Sequence, residues 1–145
     1  MASGRYDITA EQGVTFKLHL RYSDSNDTFI DLDPDLGWTG RLQVRRSPDD
    51  PDILLHVTTN GVTGGGVTGE FVSGAGVVGS GGITMNASAT GGTGLSGGVL
   101  IGIDASSMSN VPKGNHFYDL EIVKDGTIVT RLLNGRFTVD REITR

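Results

Sequence analysis

The sequence contains no cysteine, and this absence excludes several classes of protein at once. Disulfide frameworks, cysteine-based zinc sites and cysteine nucleophiles all require that residue. No run reaches the roughly 18 continuous apolar residues of a membrane helix, and residues 1–13 lack the apolar core of a secretory signal. A reducing site of folding such as a cytosol is therefore allowed, and we expect no insertion into a membrane.

Basic residues are absent from the middle of the chain. All 12 lysines and arginines lie in residues 1–46 or 113–145, and Glu70 is the sole charged residue within residues 61–98. That range also holds 15 glycines. The pattern indicates one domain, residues 1–145, in which β-rich flanks surround a glycine-rich, low-charge insert, residues 61–98. The net charge of −5 also disfavours nucleic acid as a partner, because phosphate binding needs a basic surface.

The N-terminal flank shows the period of two that is typical of strands. Apolar residues alternate with polar ones in residues 14–22, which predicts a strand with one buried face. That face would carry Val14, Phe16, Leu18, Leu20 and Tyr22. Residues 28–32 could return antiparallel to this strand. A second alternation, residues 38–45, places Gly40, Leu42 and Val44 opposite Arg41, Gln43 and Arg45, and residues 53–59 predict the next strand.

The C-terminal flank predicts a hairpin. Residues 115–124 and 127–133 flank Asp125–Gly126, the strongest two-residue hairpin signal in the chain. Asn134–Gly135 predicts a further turn before a strand at residues 136–140, and residues 105–111 offer about one helical turn before Pro112. The expected fold class is all-β: a single antiparallel β-sandwich, or flattened barrel, with a glycine-rich inserted hairpin or loop.

Two glycine motifs fail on their context. The residues from Gly94 to Gly98 fit the G-x-S-x-G pattern, but a strand rather than a helix is predicted to follow. Two G-x-G-x-x-G matches, which begin at Gly64 and Gly74, lack the helix that a dinucleotide site needs. Both patterns are common by chance in a glycine-rich tract. We therefore predict no catalytic residue, no cofactor and a protein that is not an enzyme.

Alternating aspartates can share a calcium ion, and three of them occur here: Asp31, Asp33 and Asp35. An EF-hand loop needs glycine at its sixth position and glutamate at its twelfth, where this chain has Leu36 and Leu42. Turn formation is the favoured interpretation, and an irregular calcium loop is the alternative. The histidines are isolated and are expected to serve packing or surface roles: His19, His56 and His116. No metal site is predicted.

The glycine-rich insert carries apolar side chains that a solvated loop does not need. They are Val62, Val67, Phe71, Val72, Val77 and Val78. Because glycine loses the most entropy on ordering, such a segment becomes ordered when it packs on a partner. We therefore predict that these six residues bind a partner protein. The alternative is a surface loop that is tolerated because long insertions cost little closure entropy.

The flanks resemble a β-sandwich domain of tailed-bacteriophage virion proteins. The resemblance lies in residues 5–16 (RYDITAEQGVTF), 31–32 (DL), 37–45 (GWTGRLQVR), 81–84 (GGIT), 111–123 (VPKGNHFYDLEIV) and 130–145 (TRLLNGRFTVDREITR). Such domains act as docking modules, alone or at the N-terminus of baseplate and receptor-binding proteins. Residues 62–80 look inserted relative to the usual compact pattern.

The resemblance implies a virion structural protein of the tail or baseplate, present in repeated copies or as a symmetric homo-oligomer with other virion proteins as partners. A receptor- or carbohydrate-binding module of a tail fibre is one alternative, with aromatic residues as a platform: Trp38, Tyr22, Phe117 or Tyr118. Alternation gives Trp38 and Tyr22 the faces of core residues, so packing is the favoured role for those two. A head or neck decoration protein is the other alternative.

Overall fold

The computed structural model describes residues 4–50, 54–59, 61–64, 81–90, 92, 94–105, 108, 111 and 113–141. This part of the chain forms strands joined by short turns, with a single 3-10 turn at Pro34–Leu36. The strands are β1 (Gly4–Arg5), β2 (Ile8–Glu11), β3 (Phe16–Arg21), β4 (Trp38–Arg45), β5 (Leu55–Thr58), β6 (Gly61–Gly64), β7 (Gly81–Met85), β8 (Gly98–Ile103), β9 (Gly114–Lys124) and β10 (Ile128–Asp140).

The strands form two sheets that pack face to face. The larger sheet has the order β1-β10-β9-β4-β5-β6, with β2 also paired to β10, and the smaller has the order β3-β8-β7. Buried apolar residues from both sheets form one core, and the Phe16 and Phe137 rings meet between the sheets at 5.8 Å. The predicted all-β sandwich is confirmed. Most strand pairs are antiparallel, but β1 and β2 run parallel to β10.

Strand β4 shows how alternation creates the core. Gly40, Leu42 and Val44 are buried, while the residues between them face the outside of the larger sheet. A Cβ atom at Gly40 would lie 3.2 Å from Ile83 Cγ2, so the glycine allows β7 of the smaller sheet to approach β4 closely. The prediction for residues 38–45 is therefore confirmed.

The β9–β10 hairpin turns at Asp125 and Gly126 as predicted. Their φ angles of 54° and 70° are the positive values that a type I′ turn requires, and the Thr127 amide donates to the Lys124 carbonyl at 3.1 Å. The second predicted turn, at Asn134–Gly135, is wrong. Both residues lie inside β10, paired with Asp119 and Tyr118 of β9.

Gly135 does not form a turn; its missing side chain allows the backbone of the N-terminal segment to approach β10 closely. A Cβ atom there would lie 2.5 Å from the carbonyl oxygen of Tyr6 and 2.8 Å from Asp7 Oδ1. This contact sits between β1 and β2, where the Tyr6 amide donates to the Asn134 carbonyl at 2.9 Å. The hydroxyl of Tyr118 donates to the Tyr6 carbonyl at 2.5 Å. The N-terminal segment is thus fastened along the whole C-terminal half of β10.

Strand β3 differs from expectation at both ends. Val14 precedes the strand and is 48% exposed, so its predicted burial is wrong. Residues 28–32 form a single bridge between Ser23 and Phe29 instead of a returning strand. The antiparallel neighbour of β3 is β8, whose Val99, Ile101 and Ile103 are buried in the core.

The glycine-rich range 61–98 contributes two strands, β6 and β7, to the sandwich. β6 pairs with β5 of the larger sheet, and β7 pairs with β8 of the smaller one. Ile83 and Met85 are each 4% exposed and belong to the core. Near the predicted helical turn, the Met108 amide donates to the Asp104 carbonyl at 3.0 Å, which is the bond of one α-helical turn.

The Tyr118 hydroxyl provides a test of how the N-terminal segment is held. Burial, with the neighbouring Tyr6 and Asp7, raises the pKa of Tyr118 to about 12. A raised pKa favours the neutral phenol, so its contribution to the free energy of unfolding is complete below the unfolded value of about 10 and is lost as pH rises towards 12.

We expect Tyr118→Phe to lower the free energy of unfolding at pH 7 by about 1 kcal/mol, because one hydrogen bond is lost. The variant should also lose most of the destabilisation between about pH 10 and 12, since the titrating hydroxyl is gone. Urea unfolding across this pH range measures both effects, with Tyr22→Phe as the control that keeps the alkaline loss. An alkaline loss in Tyr118→Phe equal to that of the unmodified protein contradicts the assignment.

Candidate functional site

The residues predicted to bind a partner fall largely outside the described part of the chain. Val62 lies in β6, in register with Val57 of β5. The other five lie outside the described residues: Val67, Phe71, Val72, Val77 and Val78. The segment that carries them joins β6 to β7, so the ends of these two strands locate where it leaves and enters the sandwich.

β6 and β7 form one lateral edge of the sandwich, which we call the glycine edge. β6 is the last strand of the larger sheet and β7 the last strand of the smaller sheet, and the two strands contact each other. Within the described residues, β6 pairs with β5 alone and β7 with β8 alone. Among the described residues, no strand pairs with the other side of β6 or β7, which is the side where a further strand can add.

The outer face of the larger sheet is polar and charged. Across β10, β9 and β4, Glu121 stands in register with Arg131 on one side and Arg41 on the other. Arg41 Nε lies 2.8 Å from Glu121 Oε1. Asp119, the neighbouring outward-facing residue on β9, places its Oδ2 3.5 Å from Arg131 Nε. Cross-strand pairs of opposite charge stabilise a sheet by a few tenths of a kcal/mol to about 1 kcal/mol each.

A groove of about 340 Å³ opens on this face where β10, β9 and β4 approach the N-terminal segment. We call it the arginine groove. The residues used below line it: Arg5, Gln43, Arg45, Phe117, Arg131 and Asn134. The Arg45 guanidinium is held by two neutral acceptors, the Asp50 carbonyl at 2.8 Å and Gln43 Oε1 at 3.0 Å.

Electrostatics on the outer face are set by burial and by the arginines. Burial, followed by repulsion from Glu121, raises the pKa of Asp119 above its ordinary value, although Arg131 opposes the shift. Burial, followed by Arg41 and Arg45, lowers the pKa of His56. Both shifts indicate an environment that is partly withdrawn from water, in which charged groups interact more strongly than on an open surface.

The aromatic residues considered as a platform separate into two groups. Trp38 and Tyr22 are partly buried against the core, as predicted, and Tyr118 is buried with its ring 6.2 Å from that of Phe137. Phe117 alone among these four remains substantially exposed, at 38%, and it lines the arginine groove.

The G-x-S-x-G match forms a tight connection into β8. The strand predicted after it is confirmed, since β8 begins at Gly98. Cβ atoms at Gly97 and Gly98 would lie 2.4 Å from the Tyr22 carbonyl oxygen and 2.0 Å from that of Ala87. These glycines therefore serve close packing between neighbouring segments. Of the two G-x-G-x-x-G matches, Gly64 ends β6 and the match from Gly74 lies outside the described residues.

The aspartate run makes turns. The Asp33 amide donates to Asp31 Oδ1 at 3.1 Å, and the Asp35 amide donates to Asp33 Oδ1 at 3.0 Å. Asn86 Nδ2 also donates to Asp31 Oδ1 at 2.6 Å. The Asp33 carboxylate thereby caps the Pro34–Leu36 turn, and the Asp31 carboxylate holds the residues before it. In the described part of the chain, no group of three or more histidine, aspartate or glutamate side chains is arranged to hold a metal ion.

The histidines occupy separate surroundings. His116 is 4% exposed inside β9. His19 is partly buried, and its Nε2 lies 2.6 Å from the Ala87 carbonyl oxygen. His56 Nε2 lies 3.5 Å from Gln43 Nε2 on the outer face.

Reasoning from the sequence missed the arginine groove. It placed Arg41, Gln43 and Arg45 on the outward side of one strand but did not combine them with residues of other strands. Arg5 and Arg131 belong to β1 and β10, and their approach depends on the parallel pairing of the N-terminal segment. One feature of the sequence could have indicated the groove. Alternation directs Phe117 and Asp119 to the outer face of the sheet, the face that also carries the arginines of β4.

Comparisons with known proteins give no family. No family model and no curated protein matches the sequence. One similar solved structure comes from site-directed photo-crosslinking analyses of multimeric cell-adhesive interactions of VGSC beta subunits. It is 12% identical, with a TM-score of 0.44, over 94% of this chain and 92% of that chain.

A second similar structure is a parallel homodimer of extracellular domains of the voltage-gated sodium channel beta4 subunit. It is 12% identical, with a TM-score of 0.38, over 99% of this chain and 97% of that chain. TM-scores this low carry no argument about what the present chain does. In the described residues no helix is long and apolar enough to cross a membrane.

The capping role of Asp33 can be separated from metal binding with two substitutions. We expect Asp33→Ala to lower the free energy of unfolding by about 1 kcal/mol, because the side-chain acceptor is lost. Asp33→Asn should stay close to the unmodified protein, since an amide oxygen can replace the carboxylate in the turn. Neither chelator nor millimolar calcium should shift the melting temperature. Calcium-dependent melting that Asp33→Asn abolishes contradicts the capping role.

Proposed function

We propose that the chain is a non-catalytic bacteriophage virion structural protein, an adaptor or docking component of the tail or baseplate. It would act in repeated copies or as a symmetric homo-oligomer, with other virion proteins as partners. The proposal draws on the resemblance of the flanks to tailed-phage docking modules. The segments that carry the resemblance include strands of the larger sheet, among them β2, β4 and β9.

The glycine edge is the observation that favours docking. Soluble proteins commonly protect sheet edges with lysine, proline or inward-pointing charges. Within β7 the exposed side chain is Thr84, and residues 61–98 carry Glu70 as their one charge. An edge with so little protection suits a protein whose edge is covered when it assembles.

A strand that adds to such an edge gains affinity from backbone hydrogen bonds, and the glycines leave room for it. Each new backbone hydrogen bond contributes about 0.5 to 1.5 kcal/mol net, so a strand of four to six residues adds several kcal/mol. Glycines at Gly61, Gly64, Gly81 and Gly82 allow a neighbouring backbone to approach without side-chain obstruction. We therefore assign the partner contact to a sheet edge of a neighbouring virion subunit.

A second candidate function is a receptor- or carbohydrate-binding module. The exposed Phe117 beside Arg45 and Arg131 in the arginine groove favours it. The two functions use different parts of the sandwich, because β5 separates β4 from the glycine edge. A head or neck decoration protein remains an alternative of the same structural class.

Location in the particle is the direct test. Particles of the phage that encodes the chain should contain it at a fixed copy number by quantitative mass spectrometry. Cryo-electron microscopy of the same particles should place its density at the tail or baseplate. Density in the head or neck would favour the decoration alternative, and absence of the chain from purified particles would overturn the proposal.

We expect assembly into the particle to depend on residues 65–80. Their removal leaves β6 and β7 intact. Replacing them by a linker of about four residues should keep the sandwich folded, since β6 and β7 contact each other. Incorporation into particles should fall to background. A full-length variant with serine at Val67, Phe71, Val72, Val77 and Val78 separates apolar contact from chain length. Normal incorporation of both variants, with unchanged melting temperatures, contradicts the role of this segment.

A further inference from the structure

The arginine groove reverses the charge of the molecule locally. The chain carries a net charge of −5, yet three arginines line the groove, Arg5, Arg45 and Arg131, with Asp119 as its acidic lining residue. Arg5 forms an ion pair with Asp7, in which Nη2 lies 3.6 Å from Oδ1. The other two arginines therefore supply most of the positive potential of the groove. A partly enclosed cleft of one charge sign concentrates ligands of the opposite sign.

Arg45 is positioned before any ligand arrives. Its two hydrogen bonds go to the Asp50 carbonyl and to Gln43 Oε1, both of which are neutral, so they fix the guanidinium without neutralising its charge. A planar guanidinium that is held in place matches the two oxygens of a carboxylate. The arrangement reduces the ordering cost of binding an anion.

Arg131 lies across the groove in a loose ion pair. Its Nε is 3.5 Å from Asp119 Oδ2, and its side chain is half exposed. An exposed pair of this length contributes little stability, so Arg131 can turn towards a ligand at small cost. Arg45 and Arg131 stand on either side of β9, which carries Asp119 and Phe117.

The remaining lining suits a sugar ring. Phe117 offers an exposed aromatic surface, and the amides of Gln43 and Asn134 offer donors and acceptors for hydroxyl groups. A volume of about 340 Å³ is near the lower end of small-molecule sites, which corresponds to one or two rings. A free inorganic anion would use the arginines but would gain nothing from Phe117.

We propose that the arginine groove binds a carboxylate-bearing saccharide, such as a glycan that contains uronic acid units. The carboxylate lies between Arg45 and Arg131, the ring packs on Phe117, and Gln43 and Asn134 bond its hydroxyls. The inference rests on the second candidate function, carbohydrate binding, and names its ligand class; it does not rest on docking, since the groove and the glycine edge are separate surfaces.

Cellobiuronic acid and cellobiose form the probe pair, because they differ by one carboxylate. We expect cellobiuronic acid to shift backbone amide signals of the groove strands in two-dimensional NMR and to bind at least about tenfold more tightly than cellobiose, since a charge-assisted pair is gained. Equal binding of both disaccharides would overturn the proposal. So would equal shifts from inorganic phosphate, or tighter binding of an acidic hexapeptide or a short single-stranded DNA.

Substitutions assign the contact. Arg45→Gln and Arg131→Gln should each weaken cellobiuronic acid about tenfold, while Lys17→Gln on the smaller sheet makes the same charge change and should leave affinity within about twofold. Arg131→Gln keeps the test valid if Arg45→Gln disturbs the Asp50 loop. Unchanged affinity in Arg131→Gln, with an unchanged melting temperature, would overturn the proposal.

Discussion

The two-sided pairing of β10 is the constraint on which the rest of the structure depends. One edge of this strand runs along β9, and the other holds β1 and β2 in parallel. Its inward residues, Phe137 and Val139, are buried in the core. Because side chains alternate along a strand, a slip of one residue would turn these two outward and expose the core. The turn at Asp125–Gly126 sets the register as far as Arg131, and a bulge between Arg131 and Leu133 then shifts it by one residue for the rest of β10.

Much of the fold could be predicted from local periodicity. The features that depend on pairing between residues distant in sequence could not. The alternation in β4 and the Asp125–Gly126 turn depend on neighbours in sequence, and both were predicted correctly. The predicted turn at Asn134–Gly135 was wrong. Glycine is needed at position 135 because the backbone of Tyr6, about 130 positions away in sequence, packs closely against it. Val14 fits the alternation of β3 but lies before the strand, where no neighbour covers it.

The candidate sites were predictable to different extents for a physical reason. The glycine edge is visible in composition, because absent charge and abundant glycine are properties of one continuous segment. The arginine groove is a property of four strands that the sequence separates widely, and parallel pairing beside β10 brings Arg5 of β1 into it. The alternation predicted the outward direction of Arg41, Gln43 and Arg45 on β4, but their convergence with residues of the other strands needs the sheet order.

The parallel course of the N-terminal segment and β10 has a mechanical consequence. Gly4 lies beside Leu133, and Glu11 lies beside Asp140. Tension applied through the start of β1 and the end of β10 pulls these neighbouring strands in opposite directions along their length. The hydrogen bonds between them then resist together in shear rather than opening one at a time, and rupture requires many bonds to fail at once. A domain with this geometry can transmit load along a fibre while its core stays closed.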